Sequence, residues 1–174
     1  MSRFAIWLTC GIKLRSYQLV CEPLAHELHP ARLEYLGLVA AVDGFCKEFS
    51  ERGIAEVGFT HKSVPKAVPE ELSLCLFRVL QESLRNAIKH SGVRHFELEL
   101  PGTSEAILLS VRDQGVGFDD EKMMTSRGLG ITSMQERLKA VHGELSIVSH
   151  LSQGTTVCAR VPIDTTGVTL PAAG

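Results

Sequence analysis

The chain has 174 residues, of which 44% are hydrophobic and 22% are charged, and these proportions are ordinary for a soluble globular domain with a sizeable core. The net charge of −2 provides no general attraction to nucleic acid or to anionic membranes, so neither is expected as a partner. No apolar run reaches the roughly 18 residues of a membrane-spanning helix. The cysteines are odd in number and form no C-x-x-C pair, which predicts reduced thiols in a cytoplasmic protein. They are Cys10, Cys21, Cys46, Cys75 and Cys158.

A long helix is predicted over residues 24–52, because apolar side chains recur there at mostly three- and four-residue steps and the segment "ERG" closes the pattern. These side chains are Leu24, Leu28, Leu33, Leu36, Val39, Val42, Phe45, Cys46 and Phe49. Residues 1–22, which precede this helix, carry no clear structural signal.

Helices and strands alternate in the remainder of the chain. The predicted helices cover residues 70–90 and 131–143, and the predicted strands cover 54–59, 95–100, 106–113, 144–149 and 155–163. The two helices are expected to end at Ser91-Gly92 and at Gly143. Because strands follow one another as hairpins, the sequence favours an α+β fold, a two-layer α/β sandwich, over a doubly wound sheet. The tail, 164–174, is predicted to be disordered.

The helix over residues 70–90 carries a polar face opposite an apolar one, at 100° per residue. The polar side chains are Glu82, Asn86, Lys89 and His90, and the apolar ones are Phe77, Leu80, Leu84, Ala87 and Ile88. An ordinary solvated face has the same appearance. However, a carboxylate and an amide one turn apart suit Mg²⁺, and a lysine suits phosphate, so this face is also a candidate site for a metal–polyphosphate.

Glycines follow a predicted strand in "VRDQGVGF", where Asp113 leads into Gly115 and Gly117. A simple turn explains these glycines, and a lone G-x-G is weak evidence. Alternatively, they let the backbone approach a flat ring closely, while Asp113 at the strand end accepts a hydrogen bond from an exocyclic amine.

A second glycine pair, Gly128 and Gly130, immediately precedes a predicted helix in "SRGLGITS". It indicates either a flexible loop entering a helix or a phosphate site, because free backbone N–H groups and the positive end of the helix dipole favour anions. The later segment "GTTVCARVP" places Gly154, Thr155 and Thr156 at the start of a strand, which alone indicates no more than a strand with a turn.

The order of these four motifs is more specific than any one of them. An E-x-x-x-N helix, a D-x-G-x-G segment, a G-x-G before a helix and a G-T-T at a strand start occur in that order within residues 82–156. They resemble the N, G1 and G2 boxes of the ATP-binding superfamily that includes DNA gyrase, MutL, the heat-shock chaperone ATPases and the sensor histidine kinases. The wording over residues 70–163 looks most like the catalytic domain of the histidine kinases related to the nitrate and lipid-fluidity sensors. The chain contains no Walker lysine motif.

This resemblance implies a Bergerat-type fold, with a mixed sheet and helices on one face, preceded here by a long N-terminal helix. It implies catalytic roles for Glu82, the acidic residue that polarises the reacting group, and for Asn86, which would also coordinate Mg²⁺. The implied cofactor-binding residues are Lys89, His90, Asp113, Gly115, Gly117, Gly128, Gly130 and Thr155. The implied cofactors are ATP and Mg²⁺.

The resemblance also divides the cofactor-binding residues between the two ends of ATP. Asp113 would bind the adenine amino group, Gly115 and Gly117 would shape the base pocket, and Thr155 would support the adenine side through its hydroxyl. Gly128 and Gly130 would cradle the triphosphate, and Lys89 and His90 would lie near the phosphates or the ribose. The segment from Phe118 to Arg127 would be a short ATP lid.

The stretch "LAHELHPARLEYLGL" contains two histidines, and the helix it opens resembles the family's second dimerisation helix. His26 echoes an acceptor motif of another kinase class without the residues that should follow it, and His29 before Pro30 belongs to the helix entry. A zinc pair of the two histidines lacks a clear third ligand. The acceptor histidine is therefore expected in another chain or in a missing region. The predicted division is 1–22, an N-terminal segment; 23–52, a partial dimerisation helix; 53–163, the ATP-binding catalytic domain; and 164–174, the tail.

The predicted function is that of an ATP-dependent protein-histidine kinase, the cytoplasmic catalytic part of a two-component sensor system that passes the γ-phosphoryl group of Mg·ATP to a histidine. The expected partners are ATP, a histidine-bearing dimerisation domain and a response regulator, and a homodimer of the chain is a further candidate. Two alternatives stay open. One is a protein serine kinase of the anti-sigma type, and the other is a non-catalytic module that binds nucleotide or a protein.

Overall fold

The computed structural model describes residues 30–118 and 129–163, and the other residues lie outside the described part of the chain. In chain order the elements are α1 Pro30–Glu51, β1 Glu56–Lys62, α2 Glu70–His90, β2 His95–Pro101, β3 Ala106–Asp113, α3 Leu129–Ala140, β4 Glu144–His150 and β5 Gly154–Pro162. The bounds of α2 and β3 agree with the prediction. β1 begins at Glu56 rather than at residue 54, because Ile54 still takes part in the turn that follows α1: its N–H donates to the carbonyl oxygen of Phe49 at 3.1 Å.

The strands form one mixed sheet in the order β1-β2-β3-β5-β4. β1 and β2 are parallel, whereas the β2–β3, β3–β5 and β4–β5 pairs are antiparallel. β2–β3 and β4–β5 are hairpins, as predicted. β5 lies between β3 and β4. The C-terminal ends of β3 and β4 therefore lie on either side of the start of β5, at one end of the sheet.

The helices cover one face of this sheet. In β2 the side chains of Phe96, Leu98 and Leu100 are fully buried, while those between them are exposed. Leu80 and Leu84 of α2 are fully buried as well. α2 contacts β3 and β5, α3 contacts β4, and α1 contacts β1 and α2. The predicted α+β fold, with a mixed sheet and helices in a second layer, is confirmed. None of the helices in the described ranges has the length and apolar character needed to cross a membrane.

α1 is interrupted at Gly37, where φ is 77° and ψ is 168°. Glycine adopts this left-handed backbone without the steric cost of a Cβ atom. Leu36, which the spacing places on the buried face, is 59% exposed, whereas Leu38 and Val42 are buried. The prediction of one continuous helix is wrong here, because a break resets the helical phase that the spacing assumes. Residues 24–29 of that prediction lie outside the described residues.

α3 ends at Ala140 rather than at the predicted Gly143. His142 adopts the left-handed conformation after the helix, with φ 55°, and the N–H of Gly143 donates to the carbonyl oxygen of Leu138 at 2.7 Å. A Cβ atom added at Gly143 would lie 2.7 Å from the carbonyl oxygen of Arg160. This glycine is therefore explained by its close approach to β5 and not by a positive φ.

Candidate functional site

The start of α3 lies against Glu82 of α2. A Cβ atom added at Gly130 would overlap Oε1 of Glu82, so glycine lets the carboxylate approach the first turn of α3 closely. The other carboxylate oxygen, Oε2, accepts a hydrogen bond from Nη1 of Arg85 at 2.8 Å. The N-terminus of a helix carries partial positive charge and favours anions. The carboxylate of Glu82 therefore lies beside the helix end at which a phosphate is predicted to bind.

The other N-box residues follow Glu82 along α2. Asn86 lies about one helical turn further on and is half-buried. Lys89 and His90 occupy the last turn of the helix and are exposed. Desolvation, followed by the positive charge of Lys89, lowers the pKa of His90 below its ordinary value of 6.5. At neutral pH the imidazole of His90 is therefore neutral.

Asp113 ends β3 with a side chain that is only 5% exposed. Its Oδ1 accepts a hydrogen bond from the N–H of Gly115 at 2.8 Å, and the backbone N–H of Thr155 also donates to the carboxylate. Burial raises the pKa of Asp113 above its ordinary value, and the two backbone donors act in the opposite direction. The structure thus holds a buried carboxylate, with fixed orientation, at the position predicted to recognise an exocyclic amine.

The glycines after Asp113 are required by close backbone packing. A Cβ atom at Gly115 would overlap the carbonyl oxygen of Ser91, and one at Gly117 would overlap that of His150. Gly117 also has a positive φ of 58°. The predicted approach to a flat ring stays a prediction; the contacts within the protein already explain why both positions are glycine.

A row of polar side chains crosses three neighbouring strands at one end of the sheet. Asp113 of β3 pairs with Thr155 of β5, and Thr155 pairs with Ser149 of β4. The hydroxyl oxygens of Ser149 and Thr155 are 2.9 Å apart. Sequence reasoning missed Ser149, although a signal exists: in "ELSIVS" it continues the alternation of Leu145 and Ile147, which indicates a polar side chain on the inner face.

α2 connects the residues around Glu82 with the residues around Asp113. Glu82 meets the start of α3, and Ser91 at the other end accepts a hydrogen bond from the N–H of Val116 at 2.8 Å. The two contacts are separated by about 13 Å along the helix axis, from the rise per residue of an α-helix. Gly128 and residues 119–127 of the predicted lid lie outside the described residues, so their predicted roles stay predictions.

The residues around Glu82 fit Mg²⁺ only together with a phosphate ligand. Within residues 30–118 and 129–163, no group of three or more His, Cys, Asp and Glu side chains is arranged to hold a metal ion. The carboxylate of Glu82 and the amide oxygen of Asn86 are hard oxygen donors of the kind that Mg²⁺ prefers. Mg²⁺ is commonly bound by one or two such groups plus substrate phosphates, and this donor set matches that pattern.

Replacing Gly130 with alanine is expected to lower ATP affinity about tenfold while changing the free energy of unfolding by less than about 1 kcal/mol. The added methyl group meets the flexible end of the Glu82 side chain, so the carboxylate moves instead of the backbone. Calorimetric titration with Mg·ATP and urea unfolding measure the two effects.

Gly44→Ala is the matched control for that substitution. Gly44 lies within α1, and an added Cβ atom meets nothing within 4 Å. It should stabilise the fold by up to about 1 kcal/mol through helix propensity alone, with unchanged ATP affinity. Wild-type affinity in Gly130→Ala would contradict the assignment of this glycine to the phosphate end of the site.

The chain is similar in sequence to known sensor histidine kinases. The oxygen sensor histidine kinase NreB of Staphylococcus carnosus is 36% identical over 143 residues, which are 80% of this chain and 40% of that protein. The sensor histidine kinase MctS of Rhizobium johnstonii is 33% identical over 141 residues, 80% of this chain and 30% of that protein. The chain thus spans less than half the length of either relative.

Solved structures show the same fold. The histidine kinase domain from the Erythrobacter litoralis EL346 blue-light activated histidine kinase superimposes with a TM-score of 0.59 at 21% identity, covering 72% of this chain and 60% of that one. A second structure of that kinase gives a TM-score of 0.62 at 22% identity, covering 74% and 46%. The family model described as histidine kinase-, DNA gyrase B- and HSP90-like ATPase matches residues 72–165. The chain therefore belongs to this family of ATP-binding ATPase domains, which confirms the resemblance seen in its N, G1 and G2 boxes.

Proposed function

We propose that the chain binds Mg·ATP and transfers its γ-phosphoryl group to a histidine, as the catalytic part of a two-component sensor histidine kinase. The observation that carries the proposal is the position of Glu82, whose carboxylate lies against Gly130 at the start of α3 while Asn86 follows one turn along α2. An acidic group, an amide oxygen and a helix N-terminus then converge at one end of the site. These are the groups that a metal–triphosphate requires.

The adenine base occupies the other end of the site in this proposal. Asp113 accepts a hydrogen bond from the exocyclic amino group, because its buried carboxylate is held by two backbone N–H groups and retains acceptor capacity. Thr155 lies beside it in the sheet and supports the base through its hydroxyl. Gly115 and Gly117 keep the loop close to α2 and to β4, which shapes the base pocket.

Catalysis in this proposal depends on positioning and charge neutralisation. Asn86 would contribute an amide oxygen to Mg²⁺, and the ion would supply positive charge to the phosphates. Lys89 provides a second positive charge, while neutral His90 offers a hydrogen bond near the ribose or the phosphates. Glu82 polarises the reacting group, and Gly130 in the first turn of α3, together with Gly128, cradles the triphosphate.

The partners in this proposal are a histidine-bearing dimerisation domain, in another chain or another region, and a response regulator. α1 acts as a partial dimerisation helix, and two copies of the chain pair through it. We place the protein in the cytoplasm because of its thiols: Cys46 and Cys75 are buried and free. Burial raises the pKa of Cys46 to about 12 and raises that of Cys75, so neither thiolate forms at neutral pH.

Incubation with γ-labelled ATP, together with a separately purified histidine-bearing dimerisation domain of a related sensor kinase, tests this function. We expect label on the acceptor domain that is lost in acid and retained in alkali, because phosphohistidine is acid-labile. Asn86→Ala should reduce labelling by about a hundredfold or more, since a metal ligand supplies several kcal/mol of charge stabilisation. Thr60→Ala, a loss of an exposed polar side chain on β1, is the control and should label normally.

The other outcomes distinguish the alternatives. Acid-stable label on an unrelated protein substrate would replace the histidine kinase by a serine kinase of the anti-sigma type. ATP binding without any label transfer would indicate a non-catalytic nucleotide-binding module. Label on the chain alone, lost in His26→Gln, would place the acceptor at His26 and contradict the proposal that another region supplies it.

A further inference from the structure

We propose that Ser149 is a positioning residue for the base pocket: it fixes the direction of the Thr155 hydroxyl so that Thr155 accepts, and does not donate, a hydrogen bond on its open side. This inference rests on the proposed function, because it concerns how the same site selects its purine. Ser149 is 6% exposed, yet it lies in a strand whose other inward side chains are apolar.

Three contacts converge on the hydroxyl of Ser149. The backbone N–H of Phe118 donates to its Oγ at 2.9 Å. The carbonyl oxygen of Gly154 lies 3.2 Å away, and Oγ1 of Thr155 lies 2.9 Å away. These partners belong to the loop after β3 and to the start of β5, so one buried hydroxyl connects both sides of the site.

Counting protons determines the direction of each hydrogen bond. Oγ of Ser149 has one proton and two lone pairs. The Phe118 N–H uses one lone pair, and the carbonyl oxygen of Gly154 has no proton, so Ser149 must donate to it. The remaining lone pair then accepts the proton of the Thr155 hydroxyl. This is the single assignment in which all three contacts are hydrogen bonds.

The consequence is that Thr155 presents only lone pairs to the pocket. Its proton points at Ser149, and the carboxylate of neighbouring Asp113, which accepts from the N–H of Gly115, is also an acceptor. Two adjacent acceptors favour a purine with a 6-amino group, which has two protons to donate, directly or through a bridging water. A purine with a 6-oxo group brings a third acceptor to the same place and is disfavoured.

The test compares binding of ATP and inosine 5′-triphosphate, which carries a 6-oxo group, by calorimetry in the presence of Mg²⁺. In Ser149→Ala the hydroxyl of Thr155 is released and can rotate to donate to a 6-oxo group. We expect the ratio of the two dissociation constants, inosine over adenosine nucleotide, to fall about tenfold. Ser146→Ala, which removes an exposed serine from the opposite face of the same strand, should leave the ratio unchanged.

Two further variants keep the test decisive when Ser149→Ala unfolds, since the loss leaves the part-buried N–H of Phe118 without its acceptor. Ser149→Thr keeps the hydroxyl and should retain the wild-type ratio. Thr155→Val removes the hydroxyl proton and lone pairs together, so the ratio should fall as well. Thermal unfolding without nucleotide reports the fold of each variant independently.

The outcomes separate this inference from the proposed function. If the wild-type chain binds neither nucleotide, the proposed function fails. If the wild-type chain binds ATP but Ser149→Ala or Thr155→Val weakens both nucleotides equally, with an unchanged ratio, the orienting role of Ser149 is wrong while ATP binding stands. A merely structural serine predicts that second result.

Discussion

Replacing Asp113 with asparagine is expected to weaken Mg·ATP binding about a hundredfold, which corresponds to about 2.7 kcal/mol. The carboxylate accepts from two backbone N–H groups and, in the proposed function, from the adenine amino group. An asparagine has only one acceptor oxygen, so its NH₂ group must face one of these donors. A buried donor that faces another donor loses its hydrogen bond without compensation.

Calorimetric titration measures this loss, and Asp43→Asn is the matched control. Asp43 lies on α1, where its carboxylate pairs with Lys47 at 2.6 Å, and the substitution makes the same chemical change outside the site. It should leave ATP affinity unchanged. Equal affinities of Asp113→Asn and wild type would remove Asp113 from the nucleotide site.

Comparing the stability of wild type and Asp113→Asn at different pH values tests the effect of this carboxyl group on folding alone, without nucleotide. Because burial raises the pKa of Asp113, the folded protein holds this proton to higher pH than the unfolded chain does. The contribution to the free energy of unfolding is therefore fully present below the ordinary value of 3.8 and is lost as pH rises through the raised pKa. Urea unfolding without nucleotide should show wild type losing stability relative to Asp113→Asn over that window. If wild type instead gained stability relative to Asp113→Asn over that window, the pKa of Asp113 would be lowered, not raised, in the folded protein.

Replacing Gly154 with alanine is expected to destabilise the fold by about 3 kcal/mol or more. The backbone at Gly154 has a φ of 84°, and an added Cβ atom would overlap the carbonyl oxygen of Asp113. Neither atom is at the end of a flexible side chain, so the β3–β5 pair itself must separate. Chemical denaturation followed by circular dichroism measures the change.

Gly53→Ala distinguishes overlap from backbone strain. Gly53 also has a positive φ, 64°, but an added Cβ atom meets nothing within 4 Å there. This variant should be destabilised only by the cost of the left-handed backbone, about 1 kcal/mol. If Gly154→Ala destabilises the fold no more than Gly53→Ala does, the close approach of β5 to Asp113 is not what requires glycine at Gly154.

The regular elements were predictable because their signals are local. The alternation in β2 and β3 and the helical spacing of α2 identify the buried face of each element directly, and Phe96 and Leu84 are fully buried as expected. α1 was predicted less well, since the φ of 77° at Gly37 interrupts the helix without altering the apolar spacing. A glycine inside a helix has many tolerated uses, and the sequence alone does not indicate which one applies.

Site residues that belong to a sequence motif could be predicted. Those that reach the site only through the pairing of strands were missed. Glu82 and Asp113 belong to motifs with fixed spacing. Ser149 enters the site because β4 pairs with β5 in the register that brings it opposite Thr155. The β4–β5 hairpin sets that register locally, but Ser149 and Thr155 come beside Asp113 only through the long-range pairing of β5 with β3. Similarly, Arg85 gave no motif signal, and its hydrogen bond to Glu82 follows from the three-residue spacing on α2.

The row formed by Asp113, Thr155 and Ser149 also bears on how the chain folds. β4 and β5 are neighbours in sequence and can pair as a local hairpin, but β5 must then join β3, from which α3 and β4 separate it. Closing so long a loop is entropically costly and slow. We therefore expect the base pocket to appear only once this last pairing is complete. Nucleotide would then bind the finished sheet and no earlier intermediate, so that ATP acts as a stabiliser of the fully assembled domain.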